Sequence, residues 1–304
     1  MSLAPSVAVP RASSNPLPVY IALFCLLWSF AFVAGKIGVN YCPPLILLAA
    51  RFLLAGILIL AIAALRRDSG LSWRDVWVFA LIGIANNALY LGLGYTGMQT
   101  ISAGLGGLIV SSNPVFTAMA AAPLLGERFT WRKAAGLLLG IIGVSFIVWH
   151  RMSVGTDSPH GILFTLASLM SIVAGTILFK LLAPKGSLWI GNGVQNLSAG
   201  IVLLPFAFTQ ADFGEIAPNL HLLGAFAFLT LGGSVLAYAL WFHLLRVCGA
   251  TAASAYHFLM PPLGMLFAWA VLGEHVEFRD LLGIVPVAIG IYLVTRPAGE
   301  PRSP

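Results

Sequence analysis

The sequence predicts an all-α polytopic membrane protein of ten transmembrane helices, arranged as an inverted five-plus-five repeat around a central cavity. Three observations carry that expectation. Of the 304 residues, 59% are hydrophobic and only 9% charged. A soluble domain carries about 25% charged residues because its surface has to stay in water. The apolar residues gather into runs of roughly 20, the length a helix needs to cross a hydrocarbon core about 30 Å thick. Finally, Leu125-Gly126-Glu127, followed by Arg132 and Gly136, returns as Leu272-Gly273-Glu274, followed by Arg279 and Gly283, each pair 147 positions apart.

The spans are expected at 18–38, 44–65, 75–98, 102–125, 132–149, 159–183, 187–209, 220–245, 250–272 and 279–296. Turn and charge signals separate them: Pro43-Pro44, Arg66-Arg67-Asp68, Gly126-Glu127-Arg128, Asp157-Ser158-Pro159, Pro184-Lys185-Gly186 and Gly273-Glu274. Residues 1–17 are rich in Pro, Ser and Ala and read as a flexible tail, and 297–304 as a second one. The first apolar run is longer than a signal-peptide core, so it is expected to stay as a span. The halves are expected at 18–150 and 159–296.

An even number of spans puts both termini on one side. With the termini cytoplasmic, Arg11, Arg66, Arg67, Arg74, Arg128, Arg132, Lys133, Lys180, Lys185, Arg246, Arg296 and Arg302 fall inside. Lys36, Arg151 and Arg279 fall outside, and Arg51 lies within a span. This excess of cytoplasmic basic residues is the usual determinant of orientation. It predicts an inner-membrane protein with both termini in the cytoplasm.

The repeat extends beyond its motif. Pro114 matches Pro261, Trp131 matches Phe278, Gly143 matches Gly290, and Lys36 matches Lys180 at a spacing of 144. Five spans per half invert the second copy. The charges agree, because Arg128, Thr130 and Lys133 become His275, Glu277 and Asp280.

The formal net charge of +6 does not indicate nucleic acid, since the basic residues are scattered between apolar runs rather than gathered in a stripe. Cys25, Cys42 and Cys248 are far apart and give neither a metal spacing nor a disulfide framework. No cofactor and no metal is expected. All ten acidic residues fall in loops, helix ends or tails, so a proton relay through an intramembrane carboxylate is not expected and His257 or His243 would have to serve.

Polar side chains in hydrocarbon are costly and usually face a partner or a water-filled path. The candidates for a substrate cavity are therefore the mid-span polar and aromatic residues. They are Trp28 and Phe32 in the first span, Asn86, Asn87 and Tyr90 in the third, and Ser112 and Asn113 in the fourth. The second half adds Ser168 and Ser171 in the sixth span, Ser234, Tyr238 and Trp241 in the eighth, and His257 in the ninth. Asn87 and Ser234 are repeat equivalents. A Ser bonded to the preceding turn, an amide joining two helices and an aromatic packed in the core are the plainer readings. Arg51 is read as a structural anchor, with a substrate carboxylate as the other reading. The fifth and tenth spans offer little polarity and read as scaffold, with Gly136 and Gly140 forming a small-residue packing face.

The run from Ser102 to Gly143, with Asn113-Pro114 and Leu125-Gly126-Glu127-Arg128, resembles the EamA-type drug/metabolite transporters. Ala250 to Gly290 resembles it again, and Trp28-Ser29 and Arg51-Phe52 fit the same family. The resemblance implies ten helices, an inverted repeat, and a cavity lined by helices one, three, four, six, eight and nine. It also implies export of amino acids and other metabolites, with membrane lipid and a small-molecule substrate as the partners. A membrane-embedded enzyme on lipid-linked substrates is the alternative, as is a receptor or assembly subunit. The enzyme would want a metal cluster, an acid/base pair or a nucleophile motif, and the spans contain none.

Overall fold

The computed structural model describes residues 16–68, 70–126, 130–154, 157–210, 212–275 and 278–295. Arg11, Glu127, Arg128, Glu277, Arg296 and Arg302 lie outside the described residues, as do the side chains of Arg151, Pro261, Phe278, Arg279 and Asp280. Ten helical spans follow the chain among the described residues. The first half holds α1 (Leu17–Tyr41), α2 (Pro44–Leu65), α3 (Trp73–Met98), α4 (103–125) and α5 (Trp131–Val154). The second holds α6 (Pro159–Leu182), α7 (Leu188–Gln210), α8 (Leu220–Cys248), α9 (250–272) and α10 (Phe278–Thr295). Of these, α1, α2, α3, α6 and α8 are long and apolar enough by themselves to cross a membrane.

Local chemistry sets the boundaries. Proline stands in the first turn of α1, α2 and α6, where its missing N–H costs nothing because that group has no helical partner. The glycines of the repeated motif end α4 and α9. Gly126 and Gly273 both sit at φ 67°, the left-handed cap that an L side chain adopts only with strain. The fifth helix runs to Val154, beyond the expected 149. Trp149-His150-Arg151 leaves the apolar run but contains no helix breaker, so the backbone continues.

Close approaches fix the inversion. A Cβ on Gly56 would lie 2.7 Å from the Leu197 nitrogen, and one on Gly200 2.7 Å from Leu53 Cγ. The spacing of 144 that relates Lys36 to Lys180 also relates Gly56 to Gly200 and Leu53 to Leu197, so these two contacts are one contact seen twice. Because 53 meets 200 while 56 meets 197, α2 and α7 run antiparallel, and the pseudo-two-fold axis passes between them. The scaffold pair is equally close, with a Cβ on Gly290 of α10 falling 2.5 Å from the Gly136 carbonyl and 3.2 Å from the Gly140 nitrogen of α5. Small residues let the backbones meet there.

The helices around the axis are interrupted at equivalent places. α3 is π-helical over Ile84–Leu89 and α8 over Leu229–Ala237. Adding 147 carries the first stretch inside the second. α4 breaks at Ser111-Ser112 ahead of Pro114, and α9 tightens into a 3₁₀ turn at Tyr256–Leu259 ahead of Pro261. Proline cannot donate to the preceding turn. A π-turn displaces carbonyls from regular pairing, and side chains satisfy them here. The Tyr238 hydroxyl donates to the Asn86 carbonyl at 2.7 Å. Asn192 Nδ2 donates to the Ser234 and Val235 carbonyls at 2.9 and 3.2 Å.

Candidate functional site

Between the two halves lies a narrow cavity of about 30 Å³. α1 contributes Trp28, Ala31 and Phe32, and α3 contributes Tyr90, Leu91, Gly94, Tyr95 and Met98. Opposite them stand Thr165 and Ser168 of α6, and Gly233, Ala237 and Tyr238 of α8. Gly106 and Val110 of α4 and Arg51 of α2 complete the wall. Five of the residues chosen from sequence therefore share one surface: Trp28, Phe32, Tyr90, Ser168 and Tyr238.

Trp28 is the hub of the aromatic wall. Its ring centroid lies 5.1 Å from that of Tyr238, 6.4 Å from Tyr90 and 5.3 Å from His257. Trp241 and His257 form the layer behind it, their centroids 4.8 Å apart, with His257 Nδ1 3.2 Å from the Ser254 carbonyl. They support the wall without lining it. Ser168 donates to the Tyr90 carbonyl at 2.6 Å, which fixes α6 against α3.

The other candidates sit outside the lining. Asn86 and Asn87 are fully buried on the π-turn of α3, and the Asn86 side chain packs against Gly175 of α6, where a Cβ would collide with it. The small stretch around Gly175 thus makes room for an amide from the neighbouring helix. Asn113 accepts from Thr117 at 2.8 Å within α4. Ser112 is buried at the α4 break and Ser171 half-buried on α6. Ser234 is buried and meets the site only through Arg51, whose Nε donates to its hydroxyl at 2.8 Å.

Sequence reasoning left out Tyr95 and Met98, and read Arg51 as an anchor with a substrate carboxylate as the other reading. A signal existed for the first two, because Leu91, Tyr95 and Met98 follow at helical spacing on the face beside Tyr90. Arg51 does not reach for the membrane surface. It turns inward and donates to Ser234 and, from Nη1, to the Tyr95 hydroxyl at 3.0 Å. Among the described residues the wall takes Arg51 from the second helix and none from the ninth, which the family resemblance implied.

Each end of the bundle is tied by a lysine. Lys36 of α1 donates to the carbonyls of Met98 and Ile101 at 2.6 and 2.7 Å. A cation there meets the negative end of α3. Beside it, the Glu274 carboxylate accepts from the Ala103 and Gly104 amides at 3.0 and 3.2 Å, an anion at the positive start of α4. At the opposite end Lys180 of α6 donates to the Leu245 carbonyl at 3.3 Å. Leu245 is the repeat counterpart of Met98, so the two ties are equivalent.

The comparisons agree with this geometry. Residues 17–149 and 159–296 each match the model of the EamA-like transporter family. The chain belongs to that family. The two EamA-like copies coincide with the two halves related by the axis at Gly56 and Gly200. The chain is 27% identical over 288 residues to the uncharacterized inner membrane transporter YedA of Escherichia coli K12, covering 92% of this chain and 91% of that one. It is equally similar, at 27%, to the uncharacterized transporter sll0355 of Synechocystis, covering 89% of this chain and 87% of the relative. A crystal structure aligns with a TM-score of 0.72 at 17% identity over 93% of this chain and 98% of its own, a likeness of fold. This EamA-like protein is accordingly a membrane transporter and not an enzyme.

Proposed function

We propose that the protein is a secondary transporter that exports small metabolites of amino-acid size by alternating access, rocking its inverted halves around one fixed cavity. The observation that carries this reading is the pair of repeat-equivalent lysine ties, Lys36 to Met98 and Lys180 to Leu245, one in each inverted half. An inverted repeat supplies two gates of the same construction. Loosening one while tightening the other exchanges access without remaking the site. Two observations make the exchange feasible. The helices that supply the accepting carbonyls, α3 and α8, carry π-turns, where backbone pairing is already interrupted. The cavity is also lined by residues of both halves, so moving one half against the other changes its access. The excess of basic residues on one side supports an inner-membrane orientation with cytoplasmic termini.

Proteoliposomes loaded with mixed amino acids, nucleosides and sugars test this reading. At least one solute class should leave faster than from protein-free vesicles, and Trp28→Ala should slow it. If every solute stays at the protein-free rate, the transport reading fails.

A further inference from the structure

Among the described residues, a permanent cation faces this cavity without a counter-charge. Arg51 is only 2% exposed, and arginine stays protonated in proteins. Its two hydrogen-bond partners, Ser234 and Tyr95, are neutral hydroxyls. Its guanidinium carbon stands 5.3 Å from the Phe52 ring centroid, a further neutral contact. Among the described residues the recorded ion pair is Arg74 with Asp75 at 3.4 Å, at the start of α3 and far along the chain from this site. The ten acidic residues of the sequence all stand outside the span interiors or in their first turn. A buried, unpaired charge is costly in a membrane and marks function. Snorkelling would have lowered that cost, yet the side chain points at Tyr95 in the last turn of α3 and Ser234 in the middle of α8.

From this geometry we propose that Arg51 is the docking group for a carboxylate, and that the transported solute is a small amphipathic monoanion. The planar guanidinium carries five N–H donors, of which Ser234 and Tyr95 take two. These hydroxyls hold its plane and leave donors for the fork-to-fork geometry that suits a carboxylate. The rest of the wall, Trp28, Phe32, Tyr90, Tyr238 and Met98, accepts an apolar or aromatic body. One cation matches one negative charge. The repeat supports an asymmetric site, because the counterpart of Arg51 is neutral Gln195, fully buried and off the cavity wall. The inference rests on the transport reading for its biological sense but not for its test.

The test uses the full chain in lipid nanodiscs and matched probes: phenylacetate with phenylacetamide, and 4-phenylbutyrate with its amide. Equilibrium binding is read by thermal unfolding midpoint and by Trp fluorescence. The acids should bind about ten-fold or more tightly than the amides, the worth of a charge-assisted pair. Arg51→Gln should erase the preference, and Arg51→Lys should keep part of it. If Arg51→Gln does not fold, Arg51→Lys and the wild-type acid/amide ratio still decide. Wild type that binds no acid more tightly than its amide overturns the proposal, as does an acid preference unchanged in Arg51→Lys or surviving in Arg51→Gln. Efflux of the same probes from proteoliposomes separates the two readings. Arg51-dependent binding without efflux refutes transport and leaves the carboxylate site standing. Efflux of other solutes with no acid preference does the reverse.

Discussion

Replacing Lys36 by Met keeps the aliphatic stem and removes the ammonium that ties α1 to the end of α3. Two bonds at 2.6 and 2.7 Å are lost. Hydrogen bonds from a charged donor are worth about 1.5–3 kcal/mol each when well buried. Lys36 is half-buried, so solvent screening reduces the pair to about 2 kcal/mol in total. That is roughly a 30-fold shift in the ratio of closed to open at this end. The single 3.3 Å bond of Lys180 is worth about 0.5 kcal/mol, roughly two-fold, at the other end. The assay places one cysteine at Val110, on the cavity wall, in a background with Cys25, Cys42 and Cys248 replaced. An impermeant thiol reagent is applied to the face that carries Tyr41 and Met98. Lys36→Met should label up to about 30-fold faster, while Lys180→Met should label no faster from this face. If Lys36→Met labels at the parental rate while the protein stays folded, Lys36 is not a gate.

Further expectations follow from the same contacts. Single cysteines in the 127–133 and 274–280 loops should react from opposite faces of the membrane in a labelling assay, since five helices separate the two loops. Gly56→Leu should lower the thermal unfolding midpoint, with overpacking costing about 1–3 kcal/mol, because the new Cβ would lie 2.7 Å from backbone in α7. Trp28→Ala and Tyr238→Ala should each slow proteoliposome efflux, whereas Ser145→Ala, exposed on the scaffold helix α5, should leave the rate unchanged. His257→Gln should leave any pH-driven accumulation intact, because His257 stands behind Trp28 rather than on the cavity wall.

The expected spans match the observed helices closely. Span length follows from the bilayer and from turn chemistry, both local in sequence. The repeat was equally legible, since Gly126 and Gly273 are required by a left-handed cap wherever that motif ends a helix. The site was legible only in part. Trp28, Phe32, Tyr90, Ser168 and Tyr238 share the cavity, but Asn86, Asn87 and Ser234, polar and at the right depth, face neighbouring helices instead. The reason is rotational. A π-turn lies in α3 at 84–89 and in α8 at 229–237, and each rotates the residues around it away from a regular helical wheel. No periodicity argument from a straight helix predicts which side of the bundle those residues meet.

The sequence by itself determined that the chain crosses a membrane, how many times, and that its second half repeats the first upside down. Apolar run length, basic-residue bias and a shared spacing are one-dimensional quantities. Only the tertiary structure decided which polar groups meet. Arg51 and Ser234 are 183 residues apart, and Lys36 and Met98 62 apart. Their meeting depends on the crossing of α2 with α7 at glycine contacts and on interruptions in α3 and α8. The same packing turned Arg51 away from the membrane surface and into the cavity, because its hydroxyl partners stand on helices that the sequence alone does not bring together.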